Sequence, residues 1–262
     1  METLFQGMAS VRLLVAAATG KRRGVTSITM GRSREESSAT ETDIVALLRR
    51  VPVFASLNDA QIEQLSAQII AHDVAKGEIV TVEGQPADAL YIVASGHFKR
   101  FKISPQGREQ ILKLIQPGES FGEVPLLDGG PDPASTQAME HGVLYLLPRS
   151  RFEALVQESP DLALGLIRFL AGRIRHFTDL VEDLSFRHRV DRVAKFVLDR
   201  SAVGDLNRLT QSDMAAATGT AREVVGRALR ELQQRGAIHL EHGRIAVRDR
   251  RLLESIARVE AG

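Results

Sequence analysis

Residues 211–236 read QSDMAAATGTAREVVGRALRELQQRG, and this stretch decides how the C-terminal part of the chain folds. Its pattern predicts a helix from Gln211 to Ala217, a glycine-centred turn, and a second helix from Ala221 to Arg235. Another helix is predicted before it, from Arg189 to Leu198, and two short strands are predicted on either side of His242-Gly243. This is the order of a helix-turn-helix followed by a β-wing.

Three charged side chains follow directly after the predicted turn. Arg222 and Glu223 fall in the first turn of the second helix, and Arg227 lies one turn further along the same face. The first residues of a recognition helix meet base edges in the major groove of DNA. Arginine can donate two hydrogen bonds to guanine and glutamate can accept one from cytosine, so the three residues have the chemistry to read G·C pairs.

A purely structural interpretation of the same residues stays open. The segment Thr220-Ala221-Arg222-Glu223 fits the capping-box pattern S/T-x-x-E, in which Glu223 would bond the backbone at the start of the helix. In that interpretation Arg222 and Arg227 are ordinary solvated surface charges.

The composition is that of a globular chain, with 262 residues of which 44% are hydrophobic and 26% are charged. The formal net charge of +1 conceals an asymmetry: residues 41–188 carry 14 Lys/Arg against 20 Asp/Glu, whereas residues 189–262 carry 14 against 10. A contact with a polyanion is therefore expected at the C-terminal end. The chain has no cysteine, which excludes disulfides, thiolate zinc sites and cysteine-ligated iron–sulfur clusters.

A long helix is predicted upstream of the helix-turn-helix. The segment Ser159-Pro160-Asp161 supplies an N-cap, a proline at the first helical position and an early acid. Apolar residues then recur close to the 3.5-residue spacing of a two-stranded coiled coil. We interpret this stripe as a dimer seam, with packing on the helix's own domain as the alternative. The seam residues are Leu166, Leu170, Ile174, Phe177, Val181 and Leu184.

Between Val74 and Pro148 the chain changes to short β-rich runs punctuated by glycines, which predicts an antiparallel roll or barrel. Two short helices are predicted before it. The predicted fold class is α+β: an antiparallel β-roll of jelly-roll (double-stranded β-helix) type, a long dimerisation helix and a C-terminal winged helix-turn-helix. The predicted divisions are a leader at 1–40, the roll at 41–158, the dimerisation helix at 159–187 and the DNA-binding domain at 188–262.

The leader is left out of the fold prediction. Residues 1–7, METLFQG, resemble the remnant of an engineered protease site ahead of Met8, and a disordered leader is expected after it, with Met30 as an alternative start. No run approaches the 18 apolar residues of a membrane span, so no membrane contact is expected.

Over residues 41–250 the chain resembles the Crp/Fnr family of bacterial transcription regulators. TAREVVGRAL, residues 220–229, is similar to the family's R-E-x-V-G-R recognition helix. The family's roll glycines are matched by Gly77, Gly84, Gly96 and Gly122.

The resemblance implies a cytoplasmic homodimer that binds double-stranded DNA at a palindromic TGTGA-like site and works with RNA polymerase. Arg222, Glu223 and Arg227 would read the bases. The implied phosphate contacts are Gln211, Thr218 and Thr220.

An effector pocket in the roll is also implied. The family's cyclic-AMP receptors use a Gly-Glu pair, then an Arg-Ser pair, and further groups on the long helix. Here residues 132–135 read DPAS, which puts a carboxylate where a phosphate should lie, so cyclic AMP in the usual mode is not expected and the effector is left unknown. The candidate pocket residues are Gly122, Glu123, Ser135, Arg173, Phe177 and Thr178.

Two alternatives stay open beside this interpretation. One is a regulator that senses a gas through haem, for which His97 and His176 are the candidate ligands. The other is a cyclic-nucleotide-type ligand-binding module that acts through protein–protein contacts. The sequence has no Walker loop, G-x-S-x-G, H-E-x-x-H or Rossmann glycine triplet, so neither an enzyme nor a metal site is expected.

Overall fold

The computed structural model describes residues 41–241 and 244–258. The predicted leader, and His242 and Gly243 of the wing turn, lie outside the described residues. Within the described ranges, no helix is both long enough and apolar enough to cross a membrane.

Two short helices open the described part, as predicted. Helix α1 spans Glu41–Leu48 and α2 spans Asp59–Ser66, with one 3-10 turn over Pro52–Phe54 between them. Asn58 caps α2, because its side-chain oxygen accepts a hydrogen bond from Gln61 N at 3.0 Å and the Gln61 side chain accepts one from Asn58 N at 2.9 Å. The reciprocal bonds fix where this helix begins.

The next segment forms the predicted antiparallel roll. One sheet has the strand order β1-β8-β3-β6 and the other β2-β7-β4-β5, and all pairings are antiparallel. Phe98 and Phe121 are buried between the sheets, with ring centroids 6.3 Å apart. The strands are β1 (Ile70–Val74), β2 (Ile79–Thr81), β3 (Ala89–Ser95), β4 (Phe98–Ile103), β5 (Glu109–Ile115), β6 (Ser120–Phe121), β7 (Ser135–Ala138) and β8 (Gly142–Pro148).

Helix α3 (Glu123–Asp128) follows β6, and α4 (Arg149–Glu158) follows β8. The long helix α5 then spans Pro160–Phe186, roughly 40 Å at about 1.5 Å per residue. The predicted N-cap is confirmed, because Ser159 Oγ accepts a hydrogen bond from Leu162 N at 3.3 Å and Pro160 takes the first helical position.

The N-terminal end of α5 packs on its own domain, which corrects part of the predicted seam. Leu166 is only 2% exposed and lies in the core formed with α1, α2 and α4. Its neighbour Ile167 is 64% exposed instead. From Ile167 onward the apolar residues on the outer side of α5 recur at steps of three and four. This solvent-facing stripe consists of the exposed Ile167, Ile174, Phe177 and Val181 and the half-buried Leu170 and Leu184.

The C-terminal part has the predicted helix-turn-helix and wing, and the α+β fold class is confirmed. Val225, Leu229 and Leu232 anchor its second helix in a separate apolar core. The terminal helix α9 was not predicted from the sequence. The elements are α6 (Arg189–Val203), a 3-10 turn (Leu206–Arg208), α7 (Gln211–Thr218), α8 (Arg222–Gln234), β9 (Ile238–Glu241), β10 (Arg244–Val247) and α9 (Arg250–Ala257).

Candidate DNA interface and effector pocket

An open groove lies at the start of α8. Arg222, Glu223 and Arg227 are exposed, and the structure brings all three together on the walls of this groove, whose volume is about 490 Å³. Arg230, which the sequence reasoning missed, lies one turn beyond Arg227 on the same wall. The complete lining is Gln211, Arg222, Glu223, Gly226, Arg227 and Arg230.

The capping-box interpretation of Glu223 is corrected by the start of α8. The N-cap residue is Ala221, not Thr220, and it makes no side-chain capping bond. Glu223 therefore falls at the second helical position, where its exposed carboxylate is available to an outside partner. The first backbone N–H groups of a helix have no partner within the helix and carry its positive dipole end, which is chemistry suited to a DNA phosphate.

The turn between α7 and α8 is set by Gly219. Its φ of +62° is left-handed, and its N–H caps α7 by donating to Ala215 O. A Cβ at this position would lie 2.6 Å from Leu184 Cδ2. Thus the turn that aims the recognition helix also lies against the end of α5.

One of the implied phosphate contacts is corrected and two keep their place. Thr218 is buried, and its hydroxyl donates to Met214 O at 2.7 Å, so it does not offer a donor to DNA. Gln211 is exposed at the groove, and Thr220 is half-buried in the turn.

The predicted effector residues Gly122, Glu123 and Arg173 meet beneath α5. Glu123 is 4% exposed, and its Oε1 lies 3.4 Å from an Arg173 terminal nitrogen. Arg173 also donates to Ser120 O at 2.6 Å, and its guanidinium lies 5.0 Å from the centre of the Phe169 ring. The half-buried Arg173 guanidinium thereby ties the long helix to the roll.

The sequence reasoning missed Arg100, which pairs with Asp132 across the roll. The Arg100 guanidinium donates to Asp132 Oδ1, and both side chains are buried. The Asp132 carboxylate is therefore paired with a guanidinium from β4 and not with one from its own loop. Side chains alternate along a strand, so Arg100 lies on the same buried face of β4 as Phe98. This alternation could have indicated from the sequence that Arg100 is buried.

The remaining candidate pocket residues take no part in the ion pairs Arg173–Glu123 and Arg100–Asp132, which we call the buried charge cluster. Ser135 Oγ accepts a hydrogen bond from Glu83 N at 3.0 Å. Phe177 is exposed on α5, and the exposed Thr178 uses its hydroxyl to donate to Ile174 O.

Burial perturbs two titratable groups near the cluster. Burial, followed by the charges of Asp88 and Asp132, raises the pKa of Tyr91 to about 12. Burial and then the neighbouring Arg173 lower the pKa of Lys113, although its ion pair with Glu119, 2.7 Å long, opposes that shift.

Each candidate haem ligand has one ring nitrogen engaged by a group of the protein. His97 Nδ1 lies 2.6 Å from Glu140 Oε1, and His176 Nε2 lies 3.1 Å from Leu112 O. In residues 41–241 and 244–258 no group of three or more His, Asp or Glu side chains could hold a metal ion.

Comparison with known proteins agrees with both halves of the structure. Residues 71–159 match the model of the cyclic nucleotide-binding domain, and residues 191–256 match that of the Crp-like helix-turn-helix domain. The chain is 35% identical to the cyclic AMP receptor protein of Thermus thermophilus over 208 residues, covering 79% of this chain and 96% of that protein. It is 31% identical to the CRP-like cAMP-activated global transcriptional regulator of Mycobacterium tuberculosis over 221 residues, covering 81% and 99%.

A solved structure gives the same result for the fold. FixK2 from Bradyrhizobium japonicum matches with a TM-score of 0.67 at 26% identity, covering 74% of this chain and 99% of FixK2. A sensor-type roll joined to a DNA-binding winged helix-turn-helix defines a transcription regulator and not an enzyme. The chain belongs to the Crp/Fnr family of transcription regulators.

The buried cluster does not fit a cyclic nucleotide held in the manner described for the family. A cyclic phosphate needs a guanidinium that is free to bind it. Arg100 is occupied by Asp132, and Arg173 is held by Ser120 O and Glu123. Asp132 Oδ2 and Glu123 Oε2 are buried with no hydrogen-bond partner among the described residues, and both would repel an incoming anion.

Proposed function

We propose that the chain is a homodimer that binds a palindromic DNA site with TGTGA-like half-sites. Arg222, Glu223 and Arg227 read the base edges of each half-site. The observation that carries this proposal is their joint exposure in one groove at the start of α8, together with the absence of a capping bond to Glu223 from the N-cap residue.

Phosphate contacts position the recognition helix in this proposal. Gln211 lines the same groove as Arg222, and Thr220 lies in the turn that precedes Arg222. The first N–H groups of α8 supply a further donor set at the positive end of the helix. Such contacts set orientation and affinity, while the three charged side chains set sequence preference.

The solvent-facing stripe of α5 is the proposed dimer seam. Ile174 is 66% exposed and Val181 62%, which is unfavourable for apolar side chains in water. Their seven-residue separation, with Phe177 between them, matches the a and d positions of a two-stranded coiled coil. A second copy of α5 buries this stripe.

The proposed division of labour follows the predicted boundaries. The roll at 41–158 acts as the sensor, the helix at 159–187 joins two protomers, and the unit at 188–262 binds DNA in the cytoplasm and works with RNA polymerase. The contact of Arg173 with Ser120 and Glu123 supports this route, because it couples α5 to the roll. An effector at the roll can shift DNA binding only if it prefers one arrangement of the dimer.

Half-site spacing tests the palindrome directly. A dimer with two recognition helices about 34 Å apart fits half-sites one helical turn apart. We expect that inserting five or ten base pairs between the half-sites abolishes tight binding. Five reverse the rotational phase, and ten restore it but place the half-sites about 68 Å apart, twice the spacing of the dimer. Equal affinity for all three duplexes, measured by fluorescence anisotropy, would show that each unit binds alone.

A further inference from the structure

The ion pair between Arg100 and Asp132 is built into the roll from several sides. Asp132 is 2% exposed and Arg100 is 9% exposed. Besides the guanidinium, Asp132 Oδ1 accepts a hydrogen bond from Ala134 N at 3.2 Å. The backbone of Asp132 is also fixed, since its N–H donates to Gln85 O at 2.7 Å and its carbonyl accepts from Gly84 N at 2.8 Å. The carboxylate is therefore held in place and does not swing freely on a loop.

A buried guanidinium needs an anion. Leaving Arg100 buried and unpaired would cost several kcal/mol, by the general behaviour of buried charges, and a carboxylate or a phosphate can meet this need equally through charge-assisted hydrogen bonds. In this chain the need is met by Asp132, a part of the protein itself. No charge remains for a ligand phosphate to neutralise.

Two buried carboxylate oxygens in this part of the roll also disfavour an anion. Asp132 Oδ2, Glu123 Oε2 and Ser120 Oγ are buried, and none has a hydrogen-bond partner in the part of the chain that the structure describes. Two of these atoms carry negative charge. A phosphate entering here would face these two carboxylate oxygens, while one terminal nitrogen of Arg173 donates to Ser120 O and lies 3.4 Å from Glu123. Among the described residues, the donors without a partner at this place are Arg173 Nε and the Ser120 hydroxyl, and neither relieves the repulsion by Asp132.

Arg173 already joins the roll to α5. The Arg173 bond to Ser120 O, 2.6 Å long, connects the long helix to β6 with groups of the protein alone. A ligand is therefore not required to bridge the two elements.

We propose that the Asp132 carboxylate is a built-in substitute for a ligand phosphate, so that the roll takes no cyclic nucleotide and its contact with α5 forms without one. This inference concerns the effector side of the proposed function. It separates this chain from the two relatives whose names include cyclic AMP.

Removing the internal anion should create an anion site. We expect Asp132→Asn, which keeps the shape of the side chain, to bind cyclic AMP about tenfold or more tightly than the parent chain in isothermal titration calorimetry, because Arg100 is then uncompensated. Inorganic phosphate is the second probe: it should raise the unfolding temperature of Asp132→Asn and leave that of the parent unchanged. The double variant Asp132→Asn/Arg100→Ala should lose both effects.

The matched control is Asp128→Asn, an exposed carboxylate of α3 in the same domain. It should behave as the parent with both probes. Micromolar binding of cyclic AMP by the parent would overturn the inference, as would a folded Asp132→Asn that binds neither probe better than the parent. If Asp132→Asn does not fold alone, its refolding in the presence of phosphate, but not of chloride at equal ionic strength, supports the inference, and its failure to refold contradicts it.

DNA binding is measured on the same samples. A gain of anion binding by Asp132→Asn without any affinity for the TGTGA duplex would leave the inference standing and refute the proposed DNA site. Parent protein that binds this duplex only with cyclic AMP would refute the inference and keep the DNA site.

Discussion

Charged residues differ in burial between α8, where they are exposed, and the roll, where they are buried. On α8, Arg222, Glu223 and Arg227 stand in solvent, where each charge costs little until DNA arrives. Beneath α5, Arg100 and Asp132 are buried, where a lone charge would be expensive and the pair is tolerated because its members neutralise each other. The exposed side chains can bind an outside partner, whereas the buried ones are already paired with each other.

Arg227 tests the base-reading role. We expect Arg227→Ala to cost roughly 1–3 kcal/mol of binding to the palindrome and to relax the preference at one guanine of each half-site. Arg235→Ala, at the C-terminal end of the same helix, should change binding much less. Anisotropy with duplexes substituted at single positions measures both effects. An equal loss on cognate and scrambled duplexes would make Arg227 a phosphate contact only.

Gly122 tests how the Gly-Glu motif is shaped. Its φ is +90°, and an added Cβ would lie 2.9 Å from Ala89 O, so we expect Gly122→Ala to lower the free energy of unfolding by about 1–3 kcal/mol. The control Gly172→Ala lies on α5 with open space around it and should stabilise by up to about 1 kcal/mol. Urea unfolding measures both. Equal stabilities of Gly122→Ala and the parent would contradict the strained geometry.

The residues differ in how far the sequence could predict them. The α8 trio was predictable because its spacing after a glycine turn is local information. Arg100 was not identified because its partner lies 32 residues away and is brought near only by sheet pairing. Thr218 was misassigned because the sequence does not show which side of the last turn of α7 faces the core.

At the level of whole elements, α5 could be predicted from the sequence only in part. Its start and its apolar period followed from the sequence, since Ser159, Pro160 and the three-and-four spacing are local signals. The sequence did not show that Ile167, and not Leu166, belongs to the exposed stripe, because two overlapping apolar faces are present where the helix leaves its own domain. Only the packing of α1, α2 and α4 decides between them.

The seam itself is tested by charge. We expect Ile174→Lys to weaken dimerisation about tenfold or more, on the order of 1.4 kcal/mol, because an ammonium replaces an apolar side chain at the centre of the stripe. The control Asp179→Lys places the same group on the opposite face of α5, where it is exposed and should not change the dimer. Sedimentation equilibrium measures both. A monomeric parent chain, or equal dimerisation of the two variants, would contradict the proposed seam.

A second contact between elements links the roll to the DNA-binding unit. Glu140 lies 2.6 Å from His97 Nδ1 and accepts two hydrogen bonds from Arg208 at 3.0 and 3.1 Å, with Asp205 lining the same small cavity. The hydrogen bond with His97, and then the charges of His97 and Arg208, hold the pKa of Glu140 below its ordinary value of 4.5.

A lowered carboxyl pKa gives stability that is present above the ordinary value and is lost as the pH falls through the lowered one. We expect Glu140→Gln to lower the free energy of unfolding by about 0.2–1 kcal/mol at pH 7, a modest loss because the contact is half exposed. The difference should vanish as the pH falls below 4.5. Urea titrations over this range measure it, with Glu63→Gln, at an exposed carboxylate of α2, as the control. A difference that grows in acid would contradict the sign.

The whole molecule separates charge in a way that suits its proposed task. The acidic excess of residues 41–188 and the basic excess of 189–262 direct a polyanion toward the groove at the start of α8. The cyclic nucleotide-binding fold is retained around a cluster whose charges are already paired. In our proposal, the sensor fold and nucleotide binding are separable properties of this chain.

The most direct measurement is the anisotropy of a labelled duplex that carries TGTGA and its inverted repeat, titrated with the chain at fixed moderate salt, with and without saturating cyclic AMP. We expect this duplex to bind about 10³-fold or more tightly than a scrambled one, with no change on adding the nucleotide. Raising the salt should weaken both, because phosphate neutralisation releases counterions. Equal affinity for cognate and scrambled duplexes would contradict sequence-specific recognition by Arg222, Glu223 and Arg227.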